Sequence, residues 1–434
     1  MNKRRVVITG LGIISPLGTS IEEFWKNLVA GVSGVDHAPI LQKANCPWTI
    51  AGEVKDFRPE EVLGRKDVRR TDRFTQMGLV SAYEALRDSQ LVLDKEDRQR
   101  IGVTMGTAYA GWLFSVREYE AYLKTGYEGI SPYLGTAVFT GACGGQIALH
   151  LGLKAPCITI STGCDCSTAA ATHAADLITR GEADVMFAGG ADAPVQPIII
   201  AALGASRALS SRNGEPHRAS RPFDAKRDGF VMAEGACALV LEELEHARRR
   251  GAHIYAEMVG WASTCDAYHM CDPAPEGTEA SRALQTALIK AGIAPAQVDY
   301  LNAHGTSTPA GDRAETLVLK KVFGEAAYSL PVSSIKSHLG HTQGACGALE
   351  LATCCLTIEH NVIPPTINYE YNDPDCDLDY VPNTARHRRV DIAASNSFSF
   401  GGRNTAVILK RCPNGNGHTY NGQLANHENS FTAH

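Results

Sequence analysis

Hydrophobic and polar positions change rhythm every ten to twenty residues along this chain. Short runs of Val, Ile, Leu and Ala alternate with stretches whose apolar residues fall three and four apart. The short runs predict strands at residues 6–9, 157–161, 185–188, 236–241, 254–259, 298–302, 332–335 and 405–409. The longer stretches predict helices at residues 22–28, 74–89, 167–179, 279–291 and 313–323. Three of these helices stop at Gly181, Gly292 and Gly324, where glycine accepts the left-handed φ of a helix C-terminus. Strands alternating with helices imply an α/β protein with largely parallel sheets covered by helices. No low-complexity linker divides the chain. A charged helix end at residues 248–251 marks the break between two halves, residues 1–251 and 252–412, expected to pack as one body. Residues 413–434 are polar and aperiodic, and a disordered tail is expected there.

Composition narrows the function. The 434 residues are 44% hydrophobic and 20% charged, as in ordinary soluble proteins. A net charge of −6 leaves no basic excess for neutralising phosphates, so no nucleic-acid partner is expected. No apolar run has the length of a membrane span. The basic start, residues 1–10, lacks the long apolar stretch and cleavage site of a secretion signal and reads as a first strand. Thirteen cysteines, an odd number, form no Cys-x-x-Cys pair and no disulfide-like spacing. Free thiols in a reducing cytoplasm are expected, most of them as small buried hydrophobes.

One cysteine has special surroundings. A strand over residues 157–161 runs into Thr162-Gly163-Cys164, and an Ala-rich helix follows. This order places Cys164 at a helix N-terminus, where unpaired N–H groups favour an anion. A lowered thiol pKa and attack on a thioester are the expectation. On these residues alone, Cys164 and Cys166 read equally well as buried filler, with a Cys-x-Cys metal site as a third reading. Two later segments add weight to the nucleophile. One strand delivers His304 to a Gly-Thr-Ser-Thr loop; another leads to Lys336, His338 and His341, followed by an apolar helix containing Glu350. Three strand-to-loop transitions, each presenting one candidate reactive side chain, are the arrangement a convergent site needs, although spacing alone does not bring them together.

The ordered set Val6-Val-Ile-Thr-Gly-Leu-Gly12, Ser161-Thr-Gly-Cys164, Ser220-Arg-Pro-Phe-Asp224, Asn302-Ala-His-Gly-Thr306, Lys336-Ser-His-Leu-Gly-His341 and Asn396-Ser-Phe-Ser-Phe-Gly-Gly402 resembles the elongating β-ketoacyl synthases of the thiolase fold. The likeness covers about residues 3–411. It implies a thiolase-like fold of two pseudo-duplicated halves, layered α-β-α-β-α, with Cys164 in the first and both histidines in the second. By the resemblance, Cys164 takes the acyl chain from an acyl carrier protein, and His304 and His341 support decarboxylation of the malonyl thioester. The backbone N–H groups of Cys164 and Phe400 form the oxyanion hole. Lys336 and Glu350 hold the histidines, Thr306 and Thr308 grip the phosphopantetheine arm, Asp312 is structural, and Cys166 lines the pocket. No bound cofactor or metal is implied; the phosphopantetheine arrives on the carrier protein. His at both positions favours the elongating class over chain-starting synthases and thiolases.

Departures from the pattern are part of the reading. Ser399 stands where relatives usually have Gly, and Arg403 where they have Thr, in the loop that gates the pocket. Tyr109 occupies a pocket position usually held by a smaller aliphatic residue, restricting or redirecting the acyl chain. Several stretches, Cys376-Asp-Leu-Asp-Tyr-Val-Pro382 among them, look most like the catalytic ketosynthase subunit of bacterial type II polyketide synthases, which pairs with a cysteine-lacking chain-length factor. The alternatives are a homodimeric fatty-acid synthase II, a non-decarboxylating thiolase or acyltransferase, and a non-catalytic scaffold or chain-length subunit, against which the intact Cys164, His304 and His341 argue.

Overall fold

Ten strands carry the molecule, and the computed structural model describes them within residues 4–412; the tail expected at 413–434 lies outside. In chain order they are β1 (Val6–Ile14), β2 (Ile101–Gly106), β3 (Cys157–Ile160), β4 (Val185–Asp192), β5 (Gly235–Glu243), β6 (Ala256–Cys265), β7 (Tyr300–Asn302), β8 (Val332–Ser333), β9 (Ile392–Ser399) and β10 (Arg403–Lys410). Their order across the sheet is β8-β7-β9-β10-β6-β1-β5-β4-β2-β3. The first five and the last five strands share one plan. In each set the second strand runs parallel to the third and fourth, and the fifth runs antiparallel to both the fourth and the first. The sets join through a short antiparallel contact, Val6 to Ile8 of β1 against Ala256 to Met258 of β6.

Helices fill the spaces between and outside these strands. The main ones are α1 (Arg73–Ser89), α2 (Trp112–Thr125), α3 (Ala142–Leu151), α4 (Cys166–Thr179), α5 (Thr278–Ala291), α6 (Pro309–Phe323) and α7 (Cys346–His360). Helices α4 and α7 pack against strands of both sets and form the middle layer. Both are built of small residues; a Cβ on Gly347 of α7 would lie 1.8 Å from Thr168 Oγ1 of α4. One apolar cluster joins α1 and α3 to the outer face of the first strand set, and another joins α5 and α6 to the second. The layers therefore run α-β-α-β-α, as the resemblance implies. No helix among the described residues is long and apolar enough to cross a membrane.

Strand β1 outruns its expected end at residue 9 by five residues, through Ile14. A bulge between Ile8 and Gly10 adds one residue, so that Val6, Ile8, Leu11 and Ile13 all reach the same core. Helix α1 crosses this strand so closely that a Cβ on Gly12 would sit 1.9 Å from the Ser81 carbonyl oxygen. All thirteen cysteines are free, and only Cys157, Cys265 and Cys271 are exposed.

Candidate active site

The three candidate side chains arrive at one cavity from three strand ends. Cys164 follows β3, His304 follows β7, and His341 follows β8 and the single helical turn Lys336–Leu339. All three line the cavity with Thr306, Thr308 and Phe400. The His304 and His341 ring centroids lie 5.5 Å apart with nearly perpendicular planes. Phe398 stands edge-on to His304 and Phe230 to His341.

Hydrogen bonds set the tautomers. The Gln343 backbone N–H donates to His341 Nδ1 at 3.2 Å, and Lys336 Nζ lies 3.3 Å from His304 Nδ1. With each Nδ1 accepting, each Nε2 carries the proton and is a donor. Burial and the Lys336 charge hold both histidine pKa values well below 6.5, so both rings are neutral. His341 is pinned through its backbone to Val231 and Ala233. His338 faces away, with its ring nitrogens against the Val32 and Pro365 carbonyls.

Lys336 is buried and paired with Glu350; its ammonium also donates to the His304 carbonyl oxygen at 2.8 Å. The pair touches His304 directly and acts on His341 only through space. Burial raises the Glu350 pKa to about 7 against the pull of Lys336. Donor atoms of His304, Cys346 and Glu350 come within 4.8 Å of one another, a spacing that would suit a metal ion. The Lys336 ammonium already contacts two of the three, so the cluster holds a cation of its own.

The thiol departs from expectation. Helix α4 begins at Cys166, two residues beyond Cys164, and burial pushes the Cys164 pKa up to about 12 rather than down. The nearby Lys336 charge and the Phe400 backbone N–H pull the other way without prevailing. The thiol faces the Gln343 side-chain oxygen at 3.6 Å. Cys166 does not line the cavity. It is fully buried under the turn, where its sulfur accepts from the Thr162 N–H at 3.2 Å.

The gate loop meets the nucleophile through Ser399. Its hydroxyl accepts from the Cys164 backbone N–H at 2.8 Å and donates to the Thr162 carbonyl at 2.8 Å. Arg403 donates to that same carbonyl at 2.9 Å. Phe400 is 40% exposed at the rim. The Thr306 and Thr308 hydroxyls are 2.9 Å apart, and Thr308 also caps α6. Asp312 accepts from the Phe223 and Ser307 N–H groups and faces Arg227 at 3.6 Å, a framework position. Tyr109 is not in the cavity wall; its ring lies behind it, in a cluster with Trp48, Ile199 and Phe230.

Two contributors were not foreseen in the sequence. Glu315 on α6 accepts from the His304 and Gly305 N–H groups at 2.9 and 2.7 Å and fixes the loop that presents His304. Gln343 sits beside the sulfur with φ +53°. Glu315 lies one helical turn beyond Asp312, a spacing that puts both carboxylates on the inward face.

Known proteins match this architecture over nearly its full length. The family model for the beta-ketoacyl synthase N-terminal domain matches residues 3–247, and the C-terminal domain model matches residues 255–370. A 3-oxoacyl-[acyl-carrier-protein] synthase 2 of Coxiella burnetii is 46% identical over 95% of this chain and 99% of its own length. The synthase 2 of a Synechocystis species is 42% identical over the same shares. Among solved structures, a type II PKS ketosynthase described with its acyl-carrier protein and a bound hexaketide superposes with a TM-score of 0.88 at 36% identity, covering 95% of this chain and 100% of that one. The ishigamide ketosynthase/chain length factor gives 0.88 at 35%, over 94% and 100%. With both family models matched in order around one Cys-His-His cavity, the chain belongs to the beta-ketoacyl synthase family and is an enzyme of the acyltransferase type.

Proposed function

We propose that this enzyme carries out a decarboxylative Claisen condensation between an acyl group held on Cys164 and a malonyl group on an acyl carrier protein. The observation that carries the reading is the pair of neutral histidines, each with its Nε2–H free to donate, beside a buried thiol. Phosphopantetheine would enter past Thr306 and Thr308, delivered by the carrier protein. Attack by Cys164 sulfur on the acyl thioester expels the pantetheine thiolate, which takes the thiol proton. Loss of carbon dioxide from the malonyl group leaves its electron pair as an enolate, whose oxygen accepts from His304 and His341. The enolate carbon attacks the acyl carbonyl, and the oxyanion is held by the Cys164 and Phe400 N–H groups. Collapse releases the β-ketoacyl product and Cys164 thiolate, which takes a proton from solvent. Lys336, Glu350 and Glu315 act as positioning residues.

Two branches have specific support. Identity of 46% with a synthase 2 favours fatty-acid elongation by a homodimer. Likeness at TM-score 0.88 to a type II PKS ketosynthase favours a polyketide subunit paired with a chain-length factor. Either partner would find the same face. Strand β3 lies at the sheet edge; Leu149 on α3, which packs against it, is exposed, and so are Tyr119, Leu123, Tyr127 and Phe139 on the segment that precedes it in the chain.

Intact-mass measurement with acyl and malonyl carrier proteins tests the chemistry. The wild type should gain an acyl adduct and release carbon dioxide on condensation, while Cys164→Ala forms no adduct and no β-ketoacyl product. Absence of both adduct and carbon dioxide in the wild type, alone and with a chain-length-factor candidate, would sink the reading.

A further inference from the structure

Three of the thirteen thiols are exposed, and two of those bracket one loop. Cys265 is the last residue of β6, and Cys271 follows six residues later. The third, Cys157, lies on the edge strand β3. The condensation uses neither Cys265 nor Cys271.

The loop between the two cysteines packs on the tip of the gate. The Asp266 N–H donates to the Gly402 carbonyl at 2.7 Å, and the Gly401 N–H donates to the Met270 carbonyl at 2.8 Å. Both ends of the loop thus rest on two adjacent gate residues, and each contact is made by the chain neighbour of a cysteine. The Cys265 sulfur itself lies 3.6 Å from the Gly401 carbonyl oxygen, and Cys271 lines the cavity with Phe400 and Gly402. Local bonds fold the loop back on itself. Ala267 takes a left-handed φ of +48°, and His269 Nδ1 accepts from the Cys271 and Asp272 N–H groups at 3.2 and 3.0 Å. Asp266 closes the base, accepting from the Ala274 N–H at 3.1 Å and from Asn404 Nδ2–H at 2.7 Å.

We infer that Cys265 and Cys271 form a modification site, where glutathione disulfide oxidises the pair to an internal disulfide that holds the gate against Cys164. This goes beyond the ketosynthase reading, and the chemistry of the pair stands apart from it. The sulfur of one cysteine attacks glutathione disulfide; a mixed disulfide forms and one glutathione thiol leaves. The other cysteine attacks the mixed disulfide and releases the second glutathione. The pair is oxidised, and its two hydrogens end on the two glutathione molecules. Cys164 is spared because it is buried and its pKa is pushed up to about 12, whereas exposed thiols react first. Once bridged, the loop loses its freedom to swing, and Gly401 stays on Met270. The Ser399 hydroxyl then stays on the Cys164 N–H.

The test incubates the protein with glutathione disulfide and follows peptide mass after trypsin. Residues 251–282 form one tryptic peptide with no cysteine besides these two. In the wild type that peptide should lose the mass of two hydrogens and regain it with dithiothreitol. Acylation of Cys164 by butyryl-pantetheine should lose most of its rate on oxidation and recover on reduction. Alkylation of Cys164 by iodoacetamide should slow in parallel, and it reads the gate even where the probe does not acylate. Cys265→Ser should keep the reduced rates and escape the loss; Cys271→Ser, which also cannot form the bridge, is the second variant should the first fail to fold. A peptide that gains glutathione and never loses two hydrogens would overturn the inference. So would a disulfide that leaves Cys164 alkylation unchanged. Failure of the butyryl probe on the reduced protein would count against the acyl-transfer reading alone, with peptide mass and alkylation still deciding this one.

Discussion

Ser399 occupies the Cys164 backbone N–H that is proposed as an oxyanion donor. Its hydroxyl sits on the Cys164 N–H, and a Cβ on the neighbouring Gly163 would lie only 2.3 Å from it. Ser399→Gly should raise the acylation rate about five- to tenfold by freeing that donor, read as adduct formation against time. The thiol itself, held at about 12, should react with iodoacetamide at a rate that climbs through pH 10, where glutathione has levelled off. The histidines behave in the opposite sense. Their lowered pKa values keep them neutral below 6.5, so malonyl decarboxylation by Cys164→Ala should hold steady from pH 8 to 6.5 and fall only as the pH passes below their depressed values. Lys336→Met leaves Glu350 buried without its cation and should cost about 3–5 kcal/mol in urea denaturation. That deficit should shrink toward pH 6, as Glu350 takes a proton. At this scale the sequence was readable where a candidate residue followed a strand: Cys164, His304 and His341 all line one cavity. Gln343 was not, because a polar residue before glycine reads as a surface turn and only the fold turns it toward sulfur.

Elements were legible where their periodicity was undisturbed. The helix expected at residues 74–89 differs from α1 by one residue, and Gly292 closes α5 with a left-handed φ of +66°. β1 was cut short because Gly10 and Gly12 look like a turn. Their role is to let α1 approach, a contact that no local pattern encodes. Strand β9 was missed for another reason: Ser395, Asn396 and Ser397 are buried polar residues in a strand, and Ser397 satisfies its hydroxyl on Thr168 of α4 at 2.6 Å. The middle layer offers the sharpest test of packing. Gly347→Val would drive its side chain into Thr168 and should destabilise the protein by about 1–3 kcal/mol in chemical denaturation, with loss of activity because Glu350 rides on the same helix.

For the whole molecule, the repeated strand plan divides the chemistry. The first five strands bring the thiol and the last five bring both histidines, so neither set alone holds the whole candidate site. The two-half layout was legible because strands and helices alternate throughout, whereas the β1–β6 junction was not, since only a few backbone pairs make it. The exposed face beside β3 predicts a dimer, measurable as twice the chain mass in sedimentation. A lone chain that recruits a cysteine-lacking homologue into one complex would assign the polyketide branch; a stable self-paired dimer making only fatty acyl chains would assign the other.

The strand order also bears on how the protein is made. Strands β9 and β10 lie between β7 and β6, although they are the last of the ten to be synthesised. A nascent chain emerging from the ribosome therefore carries β6 and β7 with bare edges until residue 392 and beyond have been translated. Such edges invite wrong partners in proportion to the time they wait. Slowed translation over the last quarter of the message should thus raise the demand for chaperones and the fraction of insoluble product.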